Sequence, residues 1–377
     1  MNTVTESKLK FCSGNQMIAY GAVQAGCRFF AGYPITPASG IYKGMIDLLQ
    51  GRGDVAISAP DEISALAYCV GASMRGFKVM TATSGPGWAL MIETLQYALM
   101  TETPLVVAIV QRLGPSTGGA TQGAQGDILL SEYCTSGGYT IPILCPSTAA
   151  ECYELTIQAF VWAEMLRTPV IVLSDKEVGM TSESVDFSKL KSFPCPERTR
   201  KQGTGLTRMY DFAEGGEVPA FISVGGELKV TATGSAHNKN GNLKKNDLET
   251  LEVLRHLEEK VISRKDKLAM VKFEGQNDAK TLVISYGITA RAAQEAVRTV
   301  RKKGGRASTL IIQSLFPVPD ERIKEALAGI SRVVVAEENF GGQYRSRIEH
   351  LMKDKEVVGV NKIGSMITPA EIEAAIV

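Results

Sequence analysis

Three short turns constrain this chain most. Gly32-Tyr33-Pro34-Ile35-Thr36-Pro37, Pro60-Asp61-Glu62 and Thr83-Ser84-Gly85-Pro86-Gly87 each fall where an apolar, β-rich run passes into a segment of helical periodicity. Repeated strand, turn and helix imply an α/β fold with a mostly parallel sheet covered by helices on both faces. Turns at the carboxyl ends of neighbouring strands in such a sheet build one ligand crevice.

The alternation predicts strands at 28–31, 55–58, 79–83, 105–110 and 170–173, and helices at 14–25, 41–49, 61–74, 88–100 and 149–166. These form a first domain over 1–184. Residues 185–276 are charged and punctuated by Gly and Pro, with a turn-rich stretch at 233–242 and a Lys/Glu-rich helix at 248–265, and read as an ordered connector. Alternation resumes in a smaller α/β domain over 277–377, with strands at 281–285, 307–312 and 332–336 and helices at 289–301, 320–328 and 343–353. Its loops Phe316-Pro317-Val318-Pro319 and Phe340-Gly341-Gly342 are expected along one edge.

With 377 residues the chain is long enough for more than one core. Its 41 basic and 40 acidic residues nearly cancel, which argues against nucleic acid or a polybasic membrane anchor. The first residues, 1–11, lack an apolar signal-like run, and internal apolar runs such as 104–110 are too short to span a bilayer, so a soluble cytoplasmic protein is expected. The seven cysteines form no C-x-x-C pair, and His237, His256 and His350 lack ligand spacing. No iron–sulfur or zinc site is expected in this chain, and metal chemistry, if any, belongs to a partner. The G-x-S-x-G elbow of many hydrolases is absent too.

Glu62 opens a helix whose other face, Ala65, Leu66, Cys69 and Val70, is apolar. It reads either as a first-turn acid favoured by the helix dipole or as a partly buried carboxylate that exchanges a proton with a ring nitrogen, burial favouring the neutral form of such a group. Ser84, Gly85, Pro86 and Gly87 lack both the dinucleotide and the P-loop spacing, yet their glycines allow backbone to approach a flat ligand; a tight structural turn fits as well. Arg112 follows a buried strand and suits a small carboxylate held bidentately, or else is a surface Arg in the loop Leu113-Gly114-Pro115-Ser116-Thr117-Gly118-Gly119. The polar, Gly-rich continuation to Asp127 reads as a loop that closes over substrate or faces a partner. Thr36, between two prolines, offers a pre-organised hydroxyl, unless its loop only starts the next helix with Ser39 as cap. His237 reads as a turn or interface residue.

In combination, Gly32 to Pro37, Asp61-Glu62-Ile63, Thr81 to Gly87, Arg112 to Gly118 and Glu337-Glu338-Asn339-Phe340-Gly341-Gly342-Gln343 resemble the alpha subunit of the 2-oxoacid:ferredoxin oxidoreductases, over nearly the whole chain. The resemblance implies a thiamine diphosphate enzyme that decarboxylates a 2-oxoacid, passes electrons through iron–sulfur clusters to ferredoxin and forms an acyl-CoA from coenzyme A. The first domain would be the pyrimidine-binding domain and the last would resemble the transketolase C-terminal domain. Glu62 would pair with N1′ of the aminopyrimidine and promote the imino tautomer that removes the thiazolium C2 proton. Thr36, Arg112, Thr117 and Thr121 would hold the substrate, and Tyr33, Pro34, Ile35, Ser84, Gly85, Pro86 and Gly87 would line the cofactor.

The chain has no Gly-Asp-Gly of a diphosphate-binding half and no cysteine cluster of an electron-transfer half. The resemblance therefore implies a beta subunit that supplies Mg²⁺, the diphosphate site and iron–sulfur clusters, together with gamma and ferredoxin-like delta subunits, and a site at a subunit interface. In the 2-oxoglutarate branch the loop after Gly118 typically reads Pro-Thr-Lys or Pro-Thr-Arg, whereas here it is Ala120-Thr121-Gln122. A cation about 4 Å from a second carboxylate contributes on the order of 4 kcal/mol at an effective dielectric near 20. Oxidation of 2-oxoglutarate is the expected activity; a branched-chain, aryl or other 2-oxoacid, a non-catalytic scaffold and a non-redox thiamine lyase are the alternatives.

Overall fold

A computed structural model describes residues 8–376, so part of the polar stretch at 1–11 lies outside the described residues. The chain opens with β1 (Leu9–Ser13), which pairs antiparallel with β8 (Ser182–Asp186) and ties the start of the first domain to its end. Between them lie strands β2 (Phe29–Gly32), β3 (Val55–Ser58), β4 (Val79–Thr83), β5 (Leu105–Gln111), β6 (Ile143–Leu144) and β7 (Pro169–Asp175). The helices are α1 (Gly14–Gln24), α2 (Ser39–Gln50), α3 (Glu62–Met74), α4 (Gly85–Met100), α5 (Ile128–Glu132), α6 (Ala149–Leu166) and α7 (Lys176–Met180).

Four of these strands lie in the order β5-β4-β2-β3, all parallel, so the turns after β2, β3 and β4 and the segment after β5 emerge along one sheet edge. The order reverses at β2, which has β3 on one side and β4 on the other. There β2 and β4 pair only at Phe29↔Val79 and Phe30↔Met80, whereas β2 stays paired with β3 to Gly32↔Ser58. The carboxyl ends of β2 and β4 thus part, and a crevice opens at the switch point.

Along β5, Val107 and Ile109 enter one core and Val106, Ala108 and Val110 another, as expected of a strand covered on both faces. Helix α4 begins at Gly85, a turn before the expected 88. Pro86 is harmless in a first turn, where its missing N–H has no partner to lose and its φ is already helical.

The segment after Asp186 is mostly irregular, with two-residue strands β9 (Gly205–Leu206) and β10 (Leu228–Lys229), and helices α8 (Leu248–Ile262) and α9 (Lys265–Leu268). Next comes a five-stranded sheet, in order β11 (Val271–Glu274), β13 (Ala307–Ile312), β12 (Thr281–Ser285), β15 (Arg332–Glu337) and β16 (Glu356–Asn361). It is parallel except at β11, an antiparallel edge strand, so hydrogen bonding of this sheet begins upstream of residue 277. Its helices are α10 (Thr289–Lys302), α11 (Asp320–Ala326), α12 (Gln343–Ile348) and α13 (Pro369–Ile376). Strand β14 (Ser314–Phe316) leaves this region and pairs with β6, becoming the seventh strand of the first sheet. One core runs from Trp88, Leu95 and Ile143 to Leu282, Leu310 and Tyr344, joining the two sheets. Among the described residues no helix is long and apolar enough to cross a membrane.

Candidate active site

Asp61 caps α3, its carboxylate accepting the Ser64 N–H at 2.7 Å, and this places Glu62 at the first helical position. Glu62 is 7% exposed, and its carboxylate has no hydrogen-bond partner within the described chain. A Cβ on Gly87 would lie 2.2 Å from Thr83 Oγ1 and 2.6 Å from Glu62 Oε1. Glycine at 87 is therefore what lets the first turns of α3 and α4 close on each other.

Arg112, just beyond β5, donates through Nη1 to the Thr36 carbonyl at 2.6 Å and through Nη2 to the Thr117 carbonyl at 3.0 Å. It ties the loop after β2 to the loop after β5 through backbone rather than hydroxyl groups. Each terminal nitrogen keeps a second N–H, and Nε is sealed from solvent with no partner. Thr36 is half-buried beside a cis Thr36–Pro37 peptide, Thr117 and Thr121 are exposed, Tyr33 and Pro34 are exposed, and Ile35 packs against the α1–α2 core. Thr36, Thr117 and Arg112 are brought together; Thr121 makes no hydrogen bond to them.

Six of the buried polar atoms without partners lie in these elements: Thr81 Oγ1 on β4, Ser84 Oγ at the cap of α4, Trp88 Nε1 on α4, Gln111 Nε2 on β5, and Arg112 Nε and Asp127 Oδ2 in the segment after it. Such atoms need an explanation, and a polar ligand is one. The orphaned Ser84 hydroxyl, the bare Glu62 carboxylate and the missing Cβ at Gly87 fit a flat, hydrogen-bonding group such as an aminopyrimidine.

Beside the crevice a cavity of about 530 Å³ opens between the two domains, lined by Pro86, Arg112, Asp127, Asn339, Phe340 and Ile363 among others. The loop expected to close over substrate is anchored at its far end. Gln125 donates to Asp175 Oδ2 at 3.1 Å and to the Tyr286 carbonyl at 3.2 Å, and accepts from Thr289 Oγ1 and Glu338 N. Its backbone N–H donates to the Glu338 carbonyl at 2.7 Å.

Residues 20–254 match the family model described as pyruvate flavodoxin/ferredoxin oxidoreductase, thiamine diphosphate-binding, and residues 279–372 match the pyruvate:ferredoxin oxidoreductase core domain II. The chain belongs to the pyruvate flavodoxin/ferredoxin oxidoreductase family. It is 38% identical to the 2-oxoglutarate synthase subunit KorA of Methanocaldococcus jannaschii, over 98% of this chain and 99% of that one. It is 39% identical to the subunit of the same name from Methanothermobacter marburgensis, over 96% of each. A structure titled as the 2-oxoglutarate:ferredoxin oxidoreductase of Magnetococcus marinus with 2-oxoglutarate, coenzyme A and succinyl-CoA bound superposes with a TM-score of 0.90 at 30% identity. That match covers 98% of this chain and spans 64% of the other. A split-gene transketolase, at 15% identity and a TM-score of 0.57, shares the fold alone.

Three residues of this oxidoreductase chain escaped the sequence reading. Asn15 in α1 donates through Nδ2 to the Pro37 carbonyl at 2.8 Å and holds the Thr36 loop from below. Asp127 stands against Gly85, and Gln125 joins the domains. A carboxylate after Gly126 was the one available signal for Asp127; nothing local marks the other two. His237 is buried in the connector, its ring 4.5 Å from that of Tyr210, and lines no part of the cavity.

Proposed function

We infer that this chain is the alpha subunit of a 2-oxoglutarate:ferredoxin oxidoreductase, an enzyme that converts a 2-oxoacid and coenzyme A to an acyl-CoA and reduces ferredoxin. The observation that carries the reading is the full-length likeness to KorA subunits combined with a bare, buried Glu62 carboxylate against Gly87 at the switch point. The chain acts with partner subunits: a beta subunit supplying the diphosphate site, Mg²⁺ and iron–sulfur clusters, gamma and ferredoxin-like delta subunits, and ferredoxin as acceptor, in a cytoplasmic complex. Exposed apolar side chains at Tyr33, Ile63, Tyr68 and Leu90, on the loop and helices bordering the crevice, support a partner surface there. The division is into a pyrimidine-binding domain over 1–184, a connector over 185–276 and a transketolase C-terminal-like domain over 277–377.

Thiamine diphosphate, when bound, supplies the carbon nucleophile and electron sink needed for a 2-oxoacid to lose its carboxyl group. Glu62 holds and exchanges a proton at its carboxylate with the aminopyrimidine ring. Ser84 to Gly87, with Tyr33, Pro34 and Ile35, line the pyrimidine, and Gly87 keeps the approach to Glu62 open. Arg112 fixes the Thr36 and Thr117 loops and offers its remaining N–H groups to the substrate carboxylate, with the Thr36, Thr117 and Thr121 hydroxyls nearby in sequence and loop. Ala120 and Gln122, where the 2-oxoglutarate branch has Pro and a cation, favour a branched-chain, aryl or other 2-oxoacid as the second reading.

The test is to co-purify the chain with its partners and measure thiamine- and CoA-dependent viologen reduction with 2-oxoglutarate, pyruvate and 2-oxoisovalerate. A dominant 2-oxoglutarate rate is expected. Activity only with monocarboxylates keeps the chemistry and overturns the substrate, carbon dioxide release independent of CoA favours a lyase, and no activity favours a scaffold.

A further inference from the structure

We infer that Asp127 is an electrostatic counterweight to Arg112: ionised, it cancels the guanidinium charge in the interdomain cavity, and neutral, it leaves that charge free to hold a carboxylate substrate. The inference rests on the 2-oxoacid reading above and makes Asp127 a positioning residue, acting through Arg112.

Both groups line the same cavity. Arg112 Nε and Asp127 Oδ2 are each sealed from solvent without a hydrogen-bond partner, and Arg112 spends its other nitrogens on the neutral Thr36 and Thr117 carbonyls, so neither charge is hydrogen-bonded to the other or to another charged side chain. Asp127 is fixed by its backbone: its N–H donates to Gln111 Oε1 at 3.0 Å, and its carbonyl accepts the Ser131 N–H at 2.9 Å. Its carboxylate lies against the first turn of α4, where a Cβ on Gly85 would meet both oxygens at 3.0 Å. The charged groups around it are few. Arg112 faces it from the end of β5, Glu62 lies beyond the Gly85–Gly87 turn on α3, and the Glu132–Arg347 pair, at 2.8 Å, neutralises itself between α5 and α12. The first turn of α4 and residues 339–343 contribute only uncharged residues.

Burial pushes the Asp127 carboxyl up to about 6, with Arg112 pulling against it. Below that pH the Arg112–Asp127 pair carries a net positive charge, and above it the pair is neutral. Carboxylate binding must therefore weaken as pH rises through this range, and a bound carboxylate must in turn draw a proton onto Asp127.

The experiment uses the complete complex. Between pH 5.5 and 8 the KM for 2-oxoglutarate should rise roughly tenfold, the order expected for one unit charge acting across a few ångströms of protein, with kcat moving less. Asp127→Asn should hold KM low and flat over the same range. Independently of turnover, isothermal titration of 2-oxoglutarate near pH 7 in buffers of different ionisation enthalpy should register proton uptake that Asp127→Asn abolishes. An unchanged KM slope in the variant, or binding without proton uptake, overturns the inference, as does a complex that binds no 2-oxoacid. Proton-coupled binding without turnover of any 2-oxoacid would sink the functional reading and leave the role of Asp127 standing.

Discussion

At the start of α4, two glycines one residue apart are each hemmed in by a carboxylate, Gly87 by Glu62 and Gly85 by Asp127. The helix N-terminus favours negative charge on both sides, but the two acids differ in what a substitution should do. Glu62→Gln keeps the shape and removes the exchangeable proton. We expect viologen reduction by the assembled complex to fall about 10²–10⁴-fold, the span typical of a lost general acid–base group, with an unchanged melting temperature. Wild-type turnover in this variant rules out the proton-exchange role. Gly87→Ala places a methyl group 2.6 Å from Glu62 Oε1, so either carboxylate or helix must shift. Destabilisation of about 1–3 kcal/mol is expected from such overpacking, together with a loss of activity that restoring stability by osmolyte does not recover; full activity would show that the close approach is incidental. The placement of Glu62 at a helix start and of Gly85-Pro86-Gly87 at a strand end could be read from the sequence because the signals are local: a first-turn acid before an apolar helix face, and glycines after a β-rich run. Asn15 and Gln125 could not, since what makes them matter is a partner brought near only by folding, Pro37 for Asn15 and Glu338 for Gln125, and Asp127 has only its place after Gly126 to mark it.

The elements divide in the same way. Strands 55–58, 79–83, 281–285 and 307–312 and helix 149–166 have the bounds their patterns predict, because each is long enough for its periodicity to show and each is flanked by Gly, Pro or a cap. Strands β6 and β14, of two and three residues, are too short to carry a period, and β16 is broken by Gly359 and opens on charge, so its pairing with β15 decides its state rather than its sequence. Helix α8 has a tie that its Lys/Glu-rich, surface-like composition conceals. Lys260 Nζ donates to Glu102 Oε2 at 2.8 Å and His256 Nε2 lies 3.1 Å from the same oxygen, all fully buried. Burial works against the charge on Glu102, but Lys260, His256 and Arg167 outweigh it and hold the carboxyl well below its usual range. A depressed carboxylate stabilises the fold above its unfolded value, and that contribution is lost as pH falls below about 4.5 towards the folded value. Lys260→Met removes the foremost of these partners from a buried carboxylate, leaving His256 and Arg167, and should cost about 3 kcal/mol. Chemical denaturation at pH 7 measures it; a loss under 1 kcal/mol would mean that α8 is held to the first domain by its apolar face alone.

For the whole molecule, the question is whether the N-terminal and C-terminal α/β regions are separable units, as the change of texture along the sequence suggests. Three features argue that they are not. Strand β14 is contributed by the C-terminal half to the first sheet, a single core joins Trp88 and Leu95 to Leu310 and Tyr344, and Gln125 bonds to Asp175 on one side and Tyr286, Thr289 and Glu338 on the other. Removing the last domain would strip β14 from β6, leaving β6 a two-residue edge strand beside β7, and would uncover the side of the α3–α4 layer that packs in the shared core. A chain ending at Gly275 should therefore fail to fold, giving aggregation on expression and no cooperative melt. The full chain should unfold in one calorimetric transition with equal van't Hoff and calorimetric enthalpies. Two resolved transitions, or a soluble and cooperatively folded 1–275 fragment, would show that the shared core is dispensable. A single transition has a functional corollary, because the cavity that holds Arg112 and Asp127 has Asn339 and Phe340 as its other wall. Its shape then cannot be lost by independent melting of one domain, and the charge pair stays in a site of fixed dimensions up to the temperature at which the whole chain unfolds.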